Sequence, residues 1–364
     1  MKKRITAIIL IGMLLLSLTA CGTDNDEKND TNSGTDNSST SSDTGADTSK
    51  ETVDFNVGMV TDTGGVNDQS FNQSAWEGLQ SFEANTGAKV SYLESTQETD
   101  YAPNLDKMID NENNLVWGVG YAMADAILES ADINPDVNFA IIDMAYGDET
   151  PDNVTGVVFK AQEPSFMVGY IAGLTTETDK VGFVGGSVSD VIDQFEYGYR
   201  AGVEYAAKEL GKTITVDVQY AESFKDSAKG KAIATKMYSE GCDIVFHAAG
   251  DAGVGVIEAA KENDKFVIGV DKDQAYLAPD NVLTSALKKV DVAIEEISNK
   301  VLNGTDIGGQ TFVYGSEENG VGIPEKNPNM DPEVYEKAIE IGELIKDGTI
   351  VPPYNSETFE SFEY

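Results

Sequence analysis

The sequence predicts an α/β fold with two doubly wound parallel sheets, and three observations support this prediction. From residue 57 onward, short runs rich in Val and Ile alternate with amphipathic stretches of helical length. Near-continuous apolar strands separated by such helices are typical of parallel sheets that are buried on both faces. Eleven strand-like runs exceed one ordinary doubly wound sheet, and the chain of 364 residues is long enough for two cores.

The predicted elements follow one another from the first strand to the end of the chain. The strands are residues 57–60, 89–93, 115–119, 139–143, 154–159, 181–185, 214–220, 244–248, 267–270, 282–286 and 311–314. The clearest helices between them are residues 74–85, 163–176, 192–210, 226–239 and 291–302.

Polar residues and a glycine follow several of these strands. Asp62 follows the first strand, Asp143 ends the fourth, Gly250 follows the eighth and Asp271 follows the ninth. Ligands of doubly wound sheets bind at the carboxyl ends of the strands, where a carboxylate can accept hydrogen bonds from vicinal hydroxyls of a sugar. Because Asp is also common after strands as a loop cap, the residues alone leave both roles open for Asp143 and Asp271.

The N-terminus has the pattern of a secretion signal. Lys2, Lys3 and Arg4 precede an uncharged apolar stretch at 5–18, which is short for a membrane span. Leu18-Thr19-Ala20-Cys21 then resembles a bacterial lipobox, so we predict a lipoprotein signal peptide at 1–20 and a mature chain that begins at lipidated Cys21. The alternative is an ordinary secretory peptide cleaved near Ala20.

Residues 21–52 form a separate predicted region. After Cys21 they are almost entirely Gly, Thr, Asp, Asn, Ser, Glu and Lys, with Ala46 the only apolar side chain. Such a composition buries too little surface to offset the entropy of ordering, so we predict a disordered acidic tether. A tether of this kind would hold a globular body away from the outer face of a cell membrane, in keeping with a Gram-positive surface.

Composition excludes several classes of function. The formal net charge is −38, and nucleic-acid binding needs a basic surface, so we expect no nucleic-acid partner. The single histidine, His247, lies on an apolar strand and is predicted to be a core residue, and Cys242 is predicted to be a small buried hydrophobe. The sequence has no Cys/His zinc cluster and no phosphate-binding Gly-rich loop ending in Lys-Ser or Lys-Thr. We therefore expect no catalytic residues, no metal and no cofactor.

Six segments carry a resemblance to a known family. They are VGMVTDTGGVNDQSFNQSAWEGL, VGFVGG, FEYGYRAGV, GCDIVFHAAGDAGVGV, VIGVDKDQ and VLTSALKKVD, in order between residues 57 and 289. They resemble the basic membrane protein family of lipoproteins, which includes purine nucleoside receptors of spirochaetes. The resemblance implies a type I periplasmic-binding-protein-like fold with two lobes, three hinge crossovers and a ligand cleft that closes.

The resemblance also implies boundaries and partners. The N-terminal lobe would comprise residues 53–160 plus 272–307, and the C-terminal lobe residues 161–271 plus 308–364. Crossovers are expected near 159–163, 271–274 and 305–310. The protein would be an extracytoplasmic solute-binding protein of an ABC importer, with a permease and a separate ATPase as partners.

Roles for individual residues follow from the same resemblance. Phe71 and Phe195 match the two rings that stack on the purine, and Asn72 and Asp143 match the residues that read the base edge. Asp271 matches the carboxylate that binds the ribose.

Three further positions match the family site. Lys288 matches a lysine that binds the ribose and neutralises the buried acid. Gly250 would allow close backbone approach to the ligand. Asp62 would either complete the site or only cap or orient its loop.

Each position also has a purely structural alternative. Phe71 could be a hydrophobic staple, Phe195 a core residue of its helix, Asp68 an N-cap and Tyr121 part of the lobe packing. Among functions, the sequence leaves open guanosine, inosine or adenosine as the ligand. It also leaves open a ligand-sensing lipoprotein for another small molecule such as a sugar, or a nucleoside-processing enzyme.

Overall fold

Strands in the described part of the chain form two sheets of six: the first takes β1 to β5 and β11, and the second takes β6 to β10 and β12. The computed structural model describes residues 53–325 and 328–363. The predicted signal peptide at 1–20, Cys21 and the predicted tether at 21–52 lie outside the described residues. The strands are β1 (Asn56–Thr61), β2 (Lys89–Leu93), β3 (Leu115–Val119), β4 (Asn138–Ile142), β5 (Val154–Phe159), β6 (Lys180–Gly185), β7 (Thr215–Tyr220), β8 (Ile244–Ala248), β9 (Phe266–Asp271), β10 (Val282–Lys288), β11 (Thr311–Tyr314) and β12 (Val321–Gly322).

Helices separate most of the strands. They are α1 (Phe71–Thr86), α2 (Tyr101–Asp110), α3 (Ala124–Ile133), α4 (Gln162–Thr175), α5 (Asp190–Leu210), α6 (Ser227–Ser239), α7 (Asp251–Asn263), α8 (Val290–Leu302), α9 (Pro332–Lys346) and α10 (Ser356–Glu360). The ends of these helices show common capping features. The Ser189 hydroxyl accepts a hydrogen bond from the Ile192 N–H at the start of α5, and Gly211 ends that helix in the left-handed conformation.

The first sheet has the order β11-β5-β4-β3-β1-β2, and all of its pairs are parallel. The second has the order β12-β10-β9-β8-β6-β7 and is parallel except for β12, which runs antiparallel to β10. Both central strands β3 and β8 are buried along their whole length, as expected for sheets covered on both faces. The predicted α/β fold with two parallel-dominated sheets is confirmed.

Helix packing defines two lobes. We call the first sheet with α1, α2, α3 and α8 the first lobe, and the second sheet with α4 to α7, α9 and α10 the second lobe. Helix α8 is fixed in the first lobe by a hydrogen bond of 3.1 Å from the Trp117 Nε1 to the Ser298 Oγ. Gly78 on α1 lies against the α8 backbone, where a Cβ would come within 2.5 Å of the Asp291 carbonyl oxygen. Glycine at this position therefore permits the close α1–α8 contact.

The sheet pairing corrects two of the expected boundaries. β10 pairs with β9 in the second sheet, although residues 272–307 were expected in the first lobe. β11 pairs with β5 in the first sheet, although residues 308–364 were expected in the second lobe. Hydrophobic periodicity shows that a strand is buried but not which sheet it joins, so these boundaries were wrong.

The chain therefore passes between the lobes at residues 160–161, 289 and 315–320. The crossovers predicted near 271–274 and 305–310 instead fall within the second and the first lobe, respectively. No helix in the described ranges is long and apolar enough to cross a membrane.

Candidate functional site

A cavity of about 410 Å³ lies between the lobes, at the carboxyl ends of both sets of strands. Its volume falls in the usual range for small-molecule sites. All eight residues predicted to bind ligand line it: Asp62, Phe71, Asn72, Asp143, Phe195, Gly250, Asp271 and Lys288. These residues come from seven elements or loops in both lobes, and the fold brings all of them to one place.

Two aspartates follow or end central strands and turn sharply toward the cavity. Asp143 follows β4 with a φ of 66°, and Asp271 ends β9 with a φ of 64°. This left-handed conformation is uncommon for residues other than glycine, and Asp tolerates it better than most. Strain of this kind concentrates at functional sites. The carboxylates of both residues accept hydrogen bonds from side chains of the opposite lobe: Lys288 bonds to Asp143, and Ser70 bonds to Asp271.

Lys288 is the cation of the cavity wall. Its side chain is 2% exposed, and its Nζ donates to the Asp143 Oδ2 at 2.5 Å. The resemblance implied that Lys288 neutralises Asp271, whereas its direct ion pair is with Asp143. Lys288 still acts on Asp271 through space, because its charge lowers the pKa of that carboxyl against the larger effect of burial.

Aromatic rings surround the same ammonium group. The Lys288 Nζ lies 4.7 Å from the centroid of the Phe71 ring, 5.2 Å from that of Phe159 and 5.9 Å from that of Phe195. A cation within about 6 Å of a ring face is attracted to it. Phe71 belongs to the first lobe and Phe195 to the second, so the cavity has one of these rings from each side.

The two rings also take part in packing. Phe195 is 2% exposed, and its ring lies 6.4 Å from that of Phe246 in the core of the second lobe. Phe71 packs against the core of the first lobe. The core-residue alternative for Phe195 therefore holds together with its place on the cavity wall. Phe71 follows the N-cap Ser70 as the first residue of α1, so it is not at the position of a hydrophobic staple, which precedes the N-cap.

On the first-lobe side, an amide lies between two carboxylates. The Asn72 Nδ2 donates to the Asp62 Oδ1 at 2.7 Å and to the Asp68 Oδ2 at 3.0 Å. Because both donor positions are used, the Asn72 Oδ1 is an acceptor, and this buried atom has no hydrogen-bond partner among the described residues. It is the kind of group that a ligand N–H can satisfy.

Asp68 supports this arrangement from behind. Its carboxylate accepts hydrogen bonds from the N–H groups of Ser70, Asn72 and Gln73 at 2.9–3.0 Å. It thereby satisfies N–H groups at the start of α1, as the N-cap prediction anticipated, although the helix boundary itself falls at Ser70.

The electrostatics of the cavity are dominated by acids. Burial raises the pKa of Asp62 to about 6 against hydrogen bonds from Gly64 and Asn72. Burial also raises the pKa of Asp271 to about 6 against Lys288 and the Ser70 hydroxyl. Six carboxyl groups line the cavity, together with the single ammonium of Lys288. Such a wall suits neutral polar ligands and opposes anions, because burying like charges together is costly.

Residues 55–356 match Bmp, described as the ABC transporter substrate-binding protein PnrA-like family. The chain belongs to the Bmp family. The resemblance predicted from the sequence is confirmed, and the family places the protein among substrate-binding proteins rather than enzymes.

Relatives of this Bmp protein cover nearly its whole length. A CD4+ T-cell-stimulating antigen of Listeria monocytogenes is 42% identical over 97% of this chain and 99% of its own. An ABC transporter nucleoside-binding protein of Lactococcus lactis is 36% identical over the same shares of the two chains. Among solved structures, an ABC transporter solute-binding protein of Aeropyrum pernix superposes with a TM-score of 0.77 at 26% identity, covering 84% of this chain and 96% of its own.

The Bmp cavity also contains residues that were not singled out from the sequence. Glu98 and Tyr101 from the first lobe and Glu222 and Phe224 from the second all line it, and Tyr121, considered only as possible lobe packing, does so as well. Phe224 could have been predicted from the sequence as a cavity residue. It is an aromatic side chain in the otherwise polar loop between β7 and α6, where it needs an apolar surface or a ligand to contact.

The Phe224 ring explains a glycine of the VGFVGG motif. A Cβ on Gly186 would come within 2.2 Å of this ring. Glycine at 186 therefore lets Phe224 reach the cavity wall.

Two expectations outside the cavity can also be assessed. His247 is fully buried on β8 and is absent from the cavity wall, so the prediction of a core residue is confirmed. Burial lowers the pKa of its imidazole to about 4. Cys242 is likewise buried, as predicted.

Proposed function

We propose that this Bmp-family protein captures a purine nucleoside outside the cell and delivers it to an ABC permease that is driven by a separate ATPase. The proposal rests on one observation above all. Two aromatic rings from opposite lobes, two strand-end carboxylates and a buried lysine converge on one cavity of about 410 Å³. An amide oxygen of the same wall, the Asn72 Oδ1, has no hydrogen-bond partner in the described part of the chain.

The base would lie between the two rings. Stacking on an aromatic ring contributes about 1–3 kcal/mol per base in nucleic-acid complexes and tolerates different bases. The Asn72 Oδ1 and the Asp143 carboxylate are acceptors, so they suit a base edge that presents N–H groups. The Lys288 ammonium, which contacts both rings in this structure, would exchange those contacts for the bound nucleoside.

The ribose would lie against Asp271 and Lys288. A carboxylate can accept hydrogen bonds from both vicinal hydroxyls, and the ammonium can donate to sugar oxygens while it compensates the buried acids. Gly250, with a φ of 54°, lies at the start of α7 on the same wall and allows the backbone to approach the ligand closely.

The nucleoside class is supported by what the cavity disfavours. With six carboxyl groups and one ammonium, the wall would repel a phosphate, so a nucleoside fits better than a nucleotide. A sugar could also stack on the rings and bond to Asp271, but it has no base edge for the Asn72 Oδ1. The name of the Lactococcus lactis relative, a nucleoside-binding protein, agrees with this choice.

The location belongs to the same proposal. The signal-like N-terminus and the Leu-Thr-Ala-Cys sequence support lipid attachment at Cys21 on the outer face of the cell membrane. A Cys21→Ala variant expressed in the native host should then appear in the soluble fraction. Unchanged membrane fractionation would argue against the anchor.

Native mass spectrometry and calorimetric titration test the ligand. The purified body should retain or bind inosine, guanosine or adenosine, and it should bind guanosine far more tightly than guanosine 5′-monophosphate. Glucose and galactose are the controls for the sugar alternative. Binding of a hexose with no response to any nucleoside would reject the proposal.

A further inference from the structure

Outside the cavity, a second set of contacts joins the lobes. The loop that follows β9 meets the N-terminal part of α1 and the residues before it. The Lys272 Nζ donates to both carboxylate oxygens of Glu77 at 2.6 Å, and the Tyr276 hydroxyl donates to the Gln69 Oε1 at 2.8 Å. None of these four side chains lines the cavity.

A buried amide lies beneath this surface pair. Gln274 is fully buried, and its Oε1 accepts a hydrogen bond from the Val270 N–H of its own sheet at 3.0 Å. Its Nε2 donates across the lobe boundary to the Gln69 carbonyl oxygen at 2.9 Å. Gln274 is thus fixed on the second lobe with one donor directed at the first.

Backbone geometry explains why the cavity and these contacts are adjacent but separate. The left-handed φ of 64° at Asp271 turns the chain so that Asp271 faces the cavity while Lys272 reaches α1. On α1, Phe71 and Asn72 of the first turn line the cavity, and Glu77 lies more than one turn further along. The Gln73 Nε2 holds the Glu77 Oε1 at 2.9 Å, which orients the carboxylate toward Lys272.

We propose that Gln69 and Glu77 of the first lobe and Lys272, Gln274 and Tyr276 of the second form a latch that favours the closed cleft without touching the ligand. The inference rests on the proposed function only in assuming that the cleft closes on its ligand. If a ligand binds only the closed state, its apparent affinity rises in proportion to the fraction of protein that is already closed. The latch therefore raises the affinity for every ligand by the same factor and leaves selectivity among ligands unchanged.

Charge reversal at the ion pair tests the latch. The side chains of Lys272 and Glu77 are 20% and 43% exposed, so neutralising Glu77→Gln should weaken binding only about two- to fivefold. Glu77→Lys places like charges together and should weaken guanosine, inosine and adenosine equally, by about tenfold at low salt. The double variant Glu77→Lys with Lys272→Glu should return to within about twofold of wild type.

A matched pair within one lobe provides the control. Lys231 on α6 and Glu262 on α7 are 2.8 Å apart, with exposures of 34% and 61%, and both belong to the second lobe. Glu262→Lys should leave affinity unchanged. A loss equal to that of Glu77→Lys would show a general charge effect and overturn the latch.

The salt dependence of binding and small-angle scattering of the ligand-free protein test the latch without depending on which ligand the protein binds. Raising the salt concentration screens the ion pair, so the difference between wild type and Glu77→Lys should shrink. In ligand-free protein, Glu77→Lys should increase the radius of gyration in small-angle scattering relative to wild type. If no nucleoside binds, scattering alone decides: an unchanged radius overturns the latch, and a larger one supports it.

Discussion

The two walls of the cavity are built differently. On the first-lobe wall, Asn72 lies between Asp62 and Asp68, and every hydrogen bond of this group is made within one lobe. On the second-lobe wall, Asp271 receives its hydrogen bond from Ser70 of the first lobe, and Lys288 pairs with Asp143 of the first lobe.

This difference indicates an order of assembly. The group of Asp62, Asn72 and Asp68 keeps its hydrogen bonds whether or not the lobes are together, so this part of the first wall is preformed, while Asp143 on the same wall is paired across the cleft. The second wall is complete only when the lobes meet, since its charges are compensated across the cleft. The first wall would then receive the ligand, and the second would complete the site as the cleft closes.

The largest expected effect is at the cross-lobe ion pair. Lys288→Met removes the only ammonium of the cavity wall and leaves the Asp143 carboxylate buried without its partner. Breaking a buried pair in this way typically costs about 3–5 kcal/mol. Nucleoside binding should fall more than a hundredfold in calorimetric titration, and the melting temperature should also fall.

A double variant separates the two consequences of that change. Asp143→Asn combined with Lys288→Met removes both charges and should recover most of the melting temperature without recovering binding. If Lys288→Met alone leaves stability unchanged, the cross-lobe pair does not hold the second wall together.

Asp271→Asn should have the next largest effect and should depend on the sugar. Losing a charge-assisted hydrogen bond to ribose should weaken guanosine by roughly 2–3 kcal/mol. The same variant should weaken 2′-deoxyguanosine less, because that ligand offers one hydroxyl fewer. Equal losses for the two ligands in calorimetric titration would reject the ribose role of Asp271.

Phe71→Leu tests the stacking ring with the lower structural cost. Phe71 lies partly buried at the start of α1, whereas Phe195 is deep in the core of the second lobe, where truncation would also destabilise the fold. The change should weaken inosine, guanosine and adenosine by similar factors, about tenfold, because stacking tolerates different bases. A loss confined to one base would contradict stacking.

The smallest effect is a dependence on pH. The pKa of Asp271 is raised to about 6, mainly by burial, so the folded protein binds this proton more tightly than the unfolded chain does. This group should therefore add stability as the pH falls from 6 toward 4, and lose it as the pH rises again. Over the same window, ligand affinity should fall, because protonated Asp271 loses acceptor capacity.

Asp271→Asn is the matched control for this pH dependence. Its stability should rise less than that of wild type between pH 6 and 4, because Asp62, whose pKa is also raised to about 6, still titrates there. At pH 7 the ligand-free variant should melt a few degrees higher than wild type. Thermal unfolding at pH 4, 5, 6 and 7 measures both. Parallel curves for the two proteins would show that Asp271 does not titrate near pH 6.

The sequence by itself determined the fold class and the eleven longer strands, and it predicted eight candidate site residues. The fold class and the strands depend on local signals, namely runs of Val and Ile and helical periodicity. The candidate site residues depended on the resemblance of six segments to the family, because polar residues at strand ends alone left a capping role open. All eight predicted site residues line the cavity. Five of them end or follow strands whose carboxyl ends meet at one edge, and the other three, Phe71, Asn72 and Phe195, lie near the N-terminal ends of α1 and α5.

Only the tertiary structure decided which groups meet across the cleft. It placed β10 in the second sheet, paired Lys288 with Asp143 and directed Lys272 to Glu77. The two ion pairs join residues 145 and 195 positions apart in sequence. Their distance and direction depend on how two sheets pack and on two aspartates in a left-handed turn, which no local pattern encodes.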